Sequence, residues 1–519
     1  MTAMTAAPAR PRAPRAASAA PLTAARLLRI ELRRNAMPWV LPLIAALFWF
    51  DSYRPSTGQP PFYLLRTFWN MGQGHTIIDF GPFVAGVAAW MGSRDGRRRT
   101  RDLVTVVPRA RYTAQLATWA ATAIWAVGAY LVCVGVMFAV YAHQGVAGEP
   151  PWWWVAVGAT AVAAFSAAGF AVGVFFSSRF AAPLAAFAGF FAMAESSQTG
   201  FRDSGGWALI LPTNSNGNFQ PDSGIFYRYL PDLPIARLMF LGGIAVAALG
   251  LLGLPAWAGG PRLRRAAAVI TVAGVAATGT AVGLASTARL SPHGIVIPAL
   301  HDAASDQPIR YAPVCGRAAG VPVCLNPAYR PYLADVTAAL APALREVSGL
   351  PGAPVRVSQV GALYDYSNGV GSEAMTITGH PPLLSLPLGA TLGTLPGPTG
   401  DPGPDGRHHH RASATGAFDQ TLGLLFAHAF VGAGNRAGTP AQQAVQASLM
   451  QGMGIPLAAQ PSVLNFGPPS WAPAGKSASG PVYVAARRLI ALGPAARQAW
   501  LATHLTALRS GQLTLGQLP

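Results

Sequence analysis

Up to about residue 288 the chain alternates long apolar runs with short loops, and after that point the pattern changes. A helix needs about 20 apolar residues to cross the hydrocarbon core of a bilayer, where only a helix satisfies its own backbone. Runs 116–141, 152–176 and 266–288 reach that length, and 238–258 nearly does before Pro255, Gly259 and Gly260 interrupt it. Three shorter runs, 36–50, 76–91 with Asp79 inside and 180–194 with Pro183, match a buried core helix or a re-entrant segment as well as a span. Set among the longer runs they are read as spans, seven in all. Ahead of them, 21–35 (PLTAARLLRIELRRN) places Arg26, Arg29 and Arg33 on one helical face and Leu28 and Leu32 on another. That is the pattern of a basic amphipathic helix in the membrane interface, or of an N-terminal extension that lengthens the first span. Residues 1–20 are rich in Ala, Pro and Arg and lack the apolar core of a signal peptide, so they read as a disordered cytoplasmic tail.

From Arg289 onward the composition is that of a Gly- and Pro-rich globular segment. Leu333, Val336, Leu340, Leu344 and Val347 recur three or four apart and predict a helix over 326–349. Short strands are expected at 354–360 and 374–378, a loop at 388–413, and further helices at 414–431, 439–450 and 482–508, the last broken at Gly493-Pro494. The expected fold is a polytopic α-helical membrane protein of about seven spanning helices with a C-terminal, helix-rich α+β extracytoplasmic domain. Its parts are the tail (1–20), a six-helix membrane domain (21–261), a seventh span (262–288) and the outer domain (289–519).

Composition agrees with that partition. Apolar residues make up 51% and charged residues 11% of 519, less than half the roughly 25% charge of soluble proteins. This excludes a soluble enzyme filling the chain, a disordered protein and a disulfide scaffold. The net charge of +18 raises nucleic acid as a partner, but the apolar runs and the distribution of arginine point elsewhere. With the N-terminus inside, eighteen arginines before Arg289 fall on the cytoplasmic side and five (Arg54, Arg66, Arg202, Arg228, Arg237) outside, as the positive-inside rule requires. Trp152, Trp153 and Trp154 open the fourth run, where indoles straddle headgroups and acyl chains. The expected location is the plasma membrane, multi-pass, with membrane lipid around it, no nucleic acid, and the C-terminal domain outside.

Candidate chemistry is sparse. Cys315 and Cys324, nine apart on the outer side, are expected to form a disulfide, with free or metal-bound thiols as the alternatives. Cys133 lies in the third run and reads as a packing residue. His408, His409 and His410 read as a solvated cluster rather than a metal site, and His428 as a core or interface histidine. Gly475-Lys476-Ser477 ends like a phosphate-binding loop, but Ser470 stands where that motif needs Gly. Asp79 and Glu195 fall at the outer ends of their runs. Gly169 and Gly173, four apart, suggest close helix packing. No catalytic constellation, cofactor motif or metal-ligand set emerges.

The loop after the second run is the most informative stretch: MGSRDGRRRTRDLVTVVPRARYTAQLATW (91–119). It resembles the first cytoplasmic loop of type-two ABC-exporter permeases, in which an acid, a Gly-Thr pair, a short apolar helix and a Pro followed by Arg lead into the third span. Asp95 stands for the acid, Thr100 for the Thr, and 103–107, including Leu103 and Val106 and preceded by Asp102, for the apolar helix; Pro108 and Arg109 stand for its end. Asp95 replaces the more usual Glu, and Arg99 the Gly. The amphipathic 21–35, the tight turn at 177–179 and the apolar outer segment 196–237 are similar to that family's elbow helix, span-four hairpin and outer hairpin. CGRAAGVPVCLNPAY (315–329) looks similar to segments of actinobacterial permeases that carry an added outer domain. The resemblance implies the permease subunit of an ATP-driven transporter, an exporter, that is not itself an enzyme. A separate cytoplasmic ABC ATPase subunit and a second permease subunit, identical or different, would be its partners. The competing reading is an extracytoplasmic receptor, sensor or enzyme for which the helices are an anchor.

Overall fold

Asn35 divides the basic stretch from the first apolar run. Its side-chain oxygen accepts the backbone N–H of Met37 at 2.9 Å, an N-terminal cap, and its amide donates to Thr122 Oγ1 at 2.9 Å. Helix α1 (Ala20–Arg34) therefore ends there and α2 (Met37–Ser52) begins anew. The basic helix is a separate element and not an extension of the first span. The structure is a computed structural model that describes residues 20–52, 75–97, 111–143, 150–198, 206–211, 224–255, 258–291, 293–361, 375–388, 409–432, 438–457 and 480–519.

The remaining apolar runs form α3 (His75–Gly92), α4 (Arg111–His143), α5 (Trp152–Phe175), α6 (Ala181–Gln198), α7 (Asp232–Leu251) and α8 (Pro261–Ser286). Four stretches are long and apolar enough to cross a membrane: Arg111–Val140, Trp152–Phe175, Asp232–Leu251 and Pro261–Ser286. Helices α2, α3 and α6 are shorter, at 16, 18 and 18 residues. The chain turns from α5 into α6 over 176–180, the tight hairpin expected there. One expected boundary is displaced. Helix α7 starts at Asp232, ahead of residue 238, because Pro231 precedes it and Pro234 falls in its first turn, where a missing N–H costs nothing. Arg237 is thus inside a helix and fully buried, not in an outer loop.

Small residues set the spacing of the bundle. A Cβ on Gly169 or Gly173 would collide with the carbonyls of Ala85 and Ala89, so α3 and α5 touch backbone to backbone, as the four-residue spacing suggested. Gly243 and Gly274 bring α7 and α8 together in the same way. Cys133 is buried and unbonded in α4.

Beyond α8 a two-stranded ribbon, β1 (Arg289–Ser291) with β2 (Gly294–Val296), leads into the C-terminal domain. Its sheet contains β3 (Val314–Ala318), β4 (Val321–Leu325), β5 (Arg356–Val360), β6 (Thr376–Thr378) and β7 (Leu383–Pro387), in the spatial order β3-β4-β5-β7-β6. The central pairs β4/β5 and β5/β7 are parallel, and the outer pairs antiparallel. Ala319 and Gly320 join β3 to β4 with φ of 49° and 85°, the backbone of a two-residue hairpin whose twist matches its strands. That register sets Cys315 opposite Cys324, and the two are disulfide-bonded.

Helices α9 (Leu333–Glu346), α10 (His409–Phe430), α11 (Pro440–Gly452), α12 (Pro481–Ala491) and α13 (Pro494–Arg509) complete the domain. The first turn expected near 327 is a 3-10 helix, Pro327–Tyr332, in which Pro331 has no N–H to bond the carbonyl four residues back. Helix α11 runs through the middle, buried from Ala441 to Met450 on every side. Its glutamines satisfy backbone groups that would otherwise be stranded. Gln442 donates to the carbonyls of Val431 and Leu508 at 3.2 and 3.0 Å, and Gln443 to that of Gly438 at 2.8 Å. Arg497 of α13 pairs with Glu346 at the end of α9, both nearly buried.

Candidate functional site: the two ends of the helix bundle

Antiparallel packing gathers the arginine-rich elements at one end. Tyr112 at the start of α4 donates its backbone N–H to Ala258 O at 3.3 Å and its hydroxyl to Leu249 O at 3.2 Å, near the end of α7. Gly92, ending α3, abuts Phe170 and Val174 near the end of α5. Ala36, Leu116, Trp119 and Leu263 pack around one shared cluster. Arg26, Arg29, Arg33 and Arg34 of α1, Arg179 of the hairpin, and Arg262, Arg264 and Arg265 opening α8 are therefore at one end, exposed.

Helix α1 is fastened there by three contacts. Glu31 accepts both terminal nitrogens of Arg94, at 2.9 and 3.1 Å, the forked geometry that gives guanidinium–carboxylate pairs their direction. Trp125 Nε1 donates to Leu32 O at 3.0 Å, and Asn35 holds Thr122. The hydrogen bond to Glu31 raises the pKa of Arg94 further above its ordinary value, against the opposing effect of burial. Asp95, the first residue matched to the transporter loop, lies in a one-turn helix, Arg94–Arg97, 3.8 Å from Arg94 Nε. Arg97 closes the turn: its guanidinium stacks 3.3 Å from the Trp90 ring centroid and donates to Trp90 O at 2.8 Å. Both ends of the loop are thus anchored, one through α1 and α3 and the other through Tyr112. Thr100, Asp102, Leu103, Val106, Pro108 and Arg109 lie outside the described residues, as do His408 and Gly475-Lys476-Ser477.

The opposite end joins the bundle to the C-terminal domain, and sequence reasoning missed its polar core. Asp232, the first residue of α7, is fully buried. Its Oδ2 accepts the backbone N–H of Ile297 at 2.9 Å and lies 3.2 Å from His301 Nδ1. His301 Nε2 lies 3.1 Å from Asp306 Oδ2, in the 3-10 turn Ala303–Asp306. Deeper in α7, Arg237 donates to Leu209 O at 2.8 Å and lies 5.0 Å from the Trp154 ring centroid. It thereby holds the 3-10 turn Gly206–Ile210, the WALI of the outer segment, against α5 and α7. Further along that segment, Ile225 and Phe226 enter the core of the C-terminal domain, and Ile309 N–H donates to Phe226 O at 2.7 Å. The available signals were Pro-Asp-Leu-Pro, a helix-start pattern at 231–234, and an arginine adjoining an apolar run.

Among the described residues no three His, Cys, Asp or Glu side chains are grouped to hold a metal ion. His409 and His410 lie in the first turn of α10, and the helix therefore begins inside the expected loop. His428 is a buried residue of the same helix, as expected. Asp79 lies in the second turn of α3 and Glu195 near the end of α6, both at the domain end of the bundle. Compared with protein-family models, curated proteins and solved structures, the chain has no match.

Proposed function

We propose that this chain is the membrane-spanning permease subunit of an ATP-driven transporter, with seven spanning helices and the arginine-rich end in the cytoplasm. The observation that supports this reading is the anchored base of the loop 94–111. Helix α1 is tied through Glu31–Arg94 to the loop's first turn, while Tyr112 ties its other end to α7 and to the chain entering α8. A push on such a loop reaches α1, α3, α4 and α7 together. A loop that served only as a charged topological anchor needs no such attachment.

In this reading a separate ATPase docks against the loop through Leu103 and Val106, and Asp95, Thr100, Asp102, Pro108 and Arg109 shape its ends. The C-terminal domain is extracytoplasmic, and a second permease subunit completes the pathway. Affinity purification of the full chain from its native membranes, assayed for co-purifying ATP hydrolysis, tests the proposal. Leu103→Asp with Val106→Asp leaves every arginine in place, so insertion is expected to be normal. An unpaired charge in a desolvated contact costs about 3–5 kcal/mol, enough to abolish co-purification. Arg98→Gln is expected to change little, since exposed ion pairs are worth about 0–1 kcal/mol. Equal ATPase recovery from the double variant and the parent would overturn the proposal.

A further inference from the structure

Helix α7 and the linker to the C-terminal domain meet at a histidine placed between two carboxylates. His301 has Asp232 at 3.2 Å on Nδ1 and Asp306 at 3.1 Å on Nε2. A neutral imidazole has one N–H and so serves one carboxylate; only the imidazolium donates to both. Asp232 has no exposed surface, and its Oδ1 has no hydrogen-bond partner among the described residues. A buried carboxylate needs a nearby positive charge, and His301 is in contact with it. The other charged groups about this joint are Arg237, five residues along α7 and bonded to Leu209 O, and Asp302, which accepts Ala304 N–H in the same turn as Asp306. His293 stacks on Tyr227, 4.7 Å between ring centroids.

The joint is structural on both sides. Ile295 and Ile297, just before His301, are buried in the core of the bundle, while Pro308 and Ile309, just after Asp306, pair with Tyr227 and Phe226. Releasing His301 therefore loosens the only described stretch of main chain running from α8 into the domain.

We infer that His301 is a pH-operated latch between helix α7 and the C-terminal domain, held by both carboxylates when the imidazole is protonated and loosened to a single one when it loses its proton. Burial opposes the charged form, but the hydrogen bonds and charges of Asp306 and Asp232 outweigh it and raise the histidine's pKa above the ordinary 6.5. A raised folded-state pKa means that the stabilisation is complete below the unfolded value and is lost as pH rises through the folded one. The latch is therefore held on the acid side and loosened on the alkaline side.

Hydrogen–deuterium exchange of the full chain in detergent, with labelling times scaled for the intrinsic pH dependence, tests this between about pH 5.5 and 9. Segment 293–306 is expected to lose about tenfold or more of its protection as pH rises, while the buried helix α11 keeps its own. His301→Gln is expected to start at the lower protection and show no transition. Asp306→Asn, which removes one of the two carboxylate charges, is expected to move the transition to lower pH. The proposal is overturned if the parent segment tracks α11 across the range, or if His301→Gln keeps the transition. Should His301→Gln not accumulate folded, Asp306→Asn decides: an unmoved transition overturns the latch.

Discussion

The helix bundle carries large apolar side chains on its outside as well as within, whereas the C-terminal domain keeps its bulk inside. Phe187, Val269 and Val272 of α6 and α8 are 66%, 69% and 67% exposed. In the domain, Phe418, Phe426 and Phe430 of α10 are completely buried. Buried glycines bring α3 to α5 and α7 to α8 in the bundle, while a helix buried on all sides, α11, organises the domain. The difference follows from the solvent. Lipid tails are as apolar as a leucine side chain, so burial gives no driving force between helices in a bilayer, and close backbone packing has to supply the cohesion. In water the apolar area removed from solvent supplies it. Polar groups follow the same division: buried glutamines in the domain bond main-chain carbonyls, and the described arginines of the bundle helices other than Arg237 collect at one end.

The largest expected effect lies in the domain. Phe426→Ala is expected to cost about 3–5 kcal/mol, read as early proteolysis of the C-terminal half of the full chain while the bundle stays intact. Simultaneous loss of both would mean that the two regions share one cooperative core. Reduction of Cys315–Cys324 comes next. The bond closes a ten-residue ring, for which chain entropy gives about 2.5–3 kcal/mol; thermal unfolding with and without reductant should show the domain transition fall and the bundle transition stay. Gly173→Leu is expected to cost the bundle about 1–3 kcal/mol through overpacking against Ala89, measured as loss of thermal stability in detergent. Val272→Ala, on the exposed face of α8, is expected to change stability by less than about 0.5 kcal/mol. If Val272→Ala were the more damaging of the two, that face would be covered by protein and the contrast between the regions would fail.

Much of this fold was legible because it is local. Helix α11 was expected at 439–450 and found at Pro440–Gly452, since its start is marked within four residues by a capping box of Thr439 and Gln442 and by a Pro at the first helical position. The break at Gly493-Pro494 separates α12 from α13 as expected. The strands were harder. The hairpin β3/β4 went unread because its turn is Ala319-Gly320, without the Asn-Gly or Asp-Gly pair that marks such turns. Besides their antiparallel neighbours β3 and β6, strands β4 and β7 each pair in parallel with β5, which comes from more distant sequence. The arginine-rich end was visible as composition. Its fastening through Glu31–Arg94, residues 63 positions apart, was not.

The sequence alone determined that the chain has a run of apolar helices, that their arginines segregate, that a Gly- and Pro-rich segment without long apolar runs follows, and that two cysteines lie close enough to bond. Each of these rests on run length, period or spacing, which act over a few residues. The tertiary structure decided that Arg237 is buried inside a helix, that Ile225 and Phe226 belong to the core of the domain, and that His301 lies between Asp232 and Asp306. Asp232 and His301 are 69 residues apart, and although Pro231 and Pro234 mark Asp232 as a helix start, nothing beside either residue points to the other as its partner. A buried charge is tolerated only where packing brings it an opposite charge or a hydrogen-bond partner, and that partner is chosen by the fold.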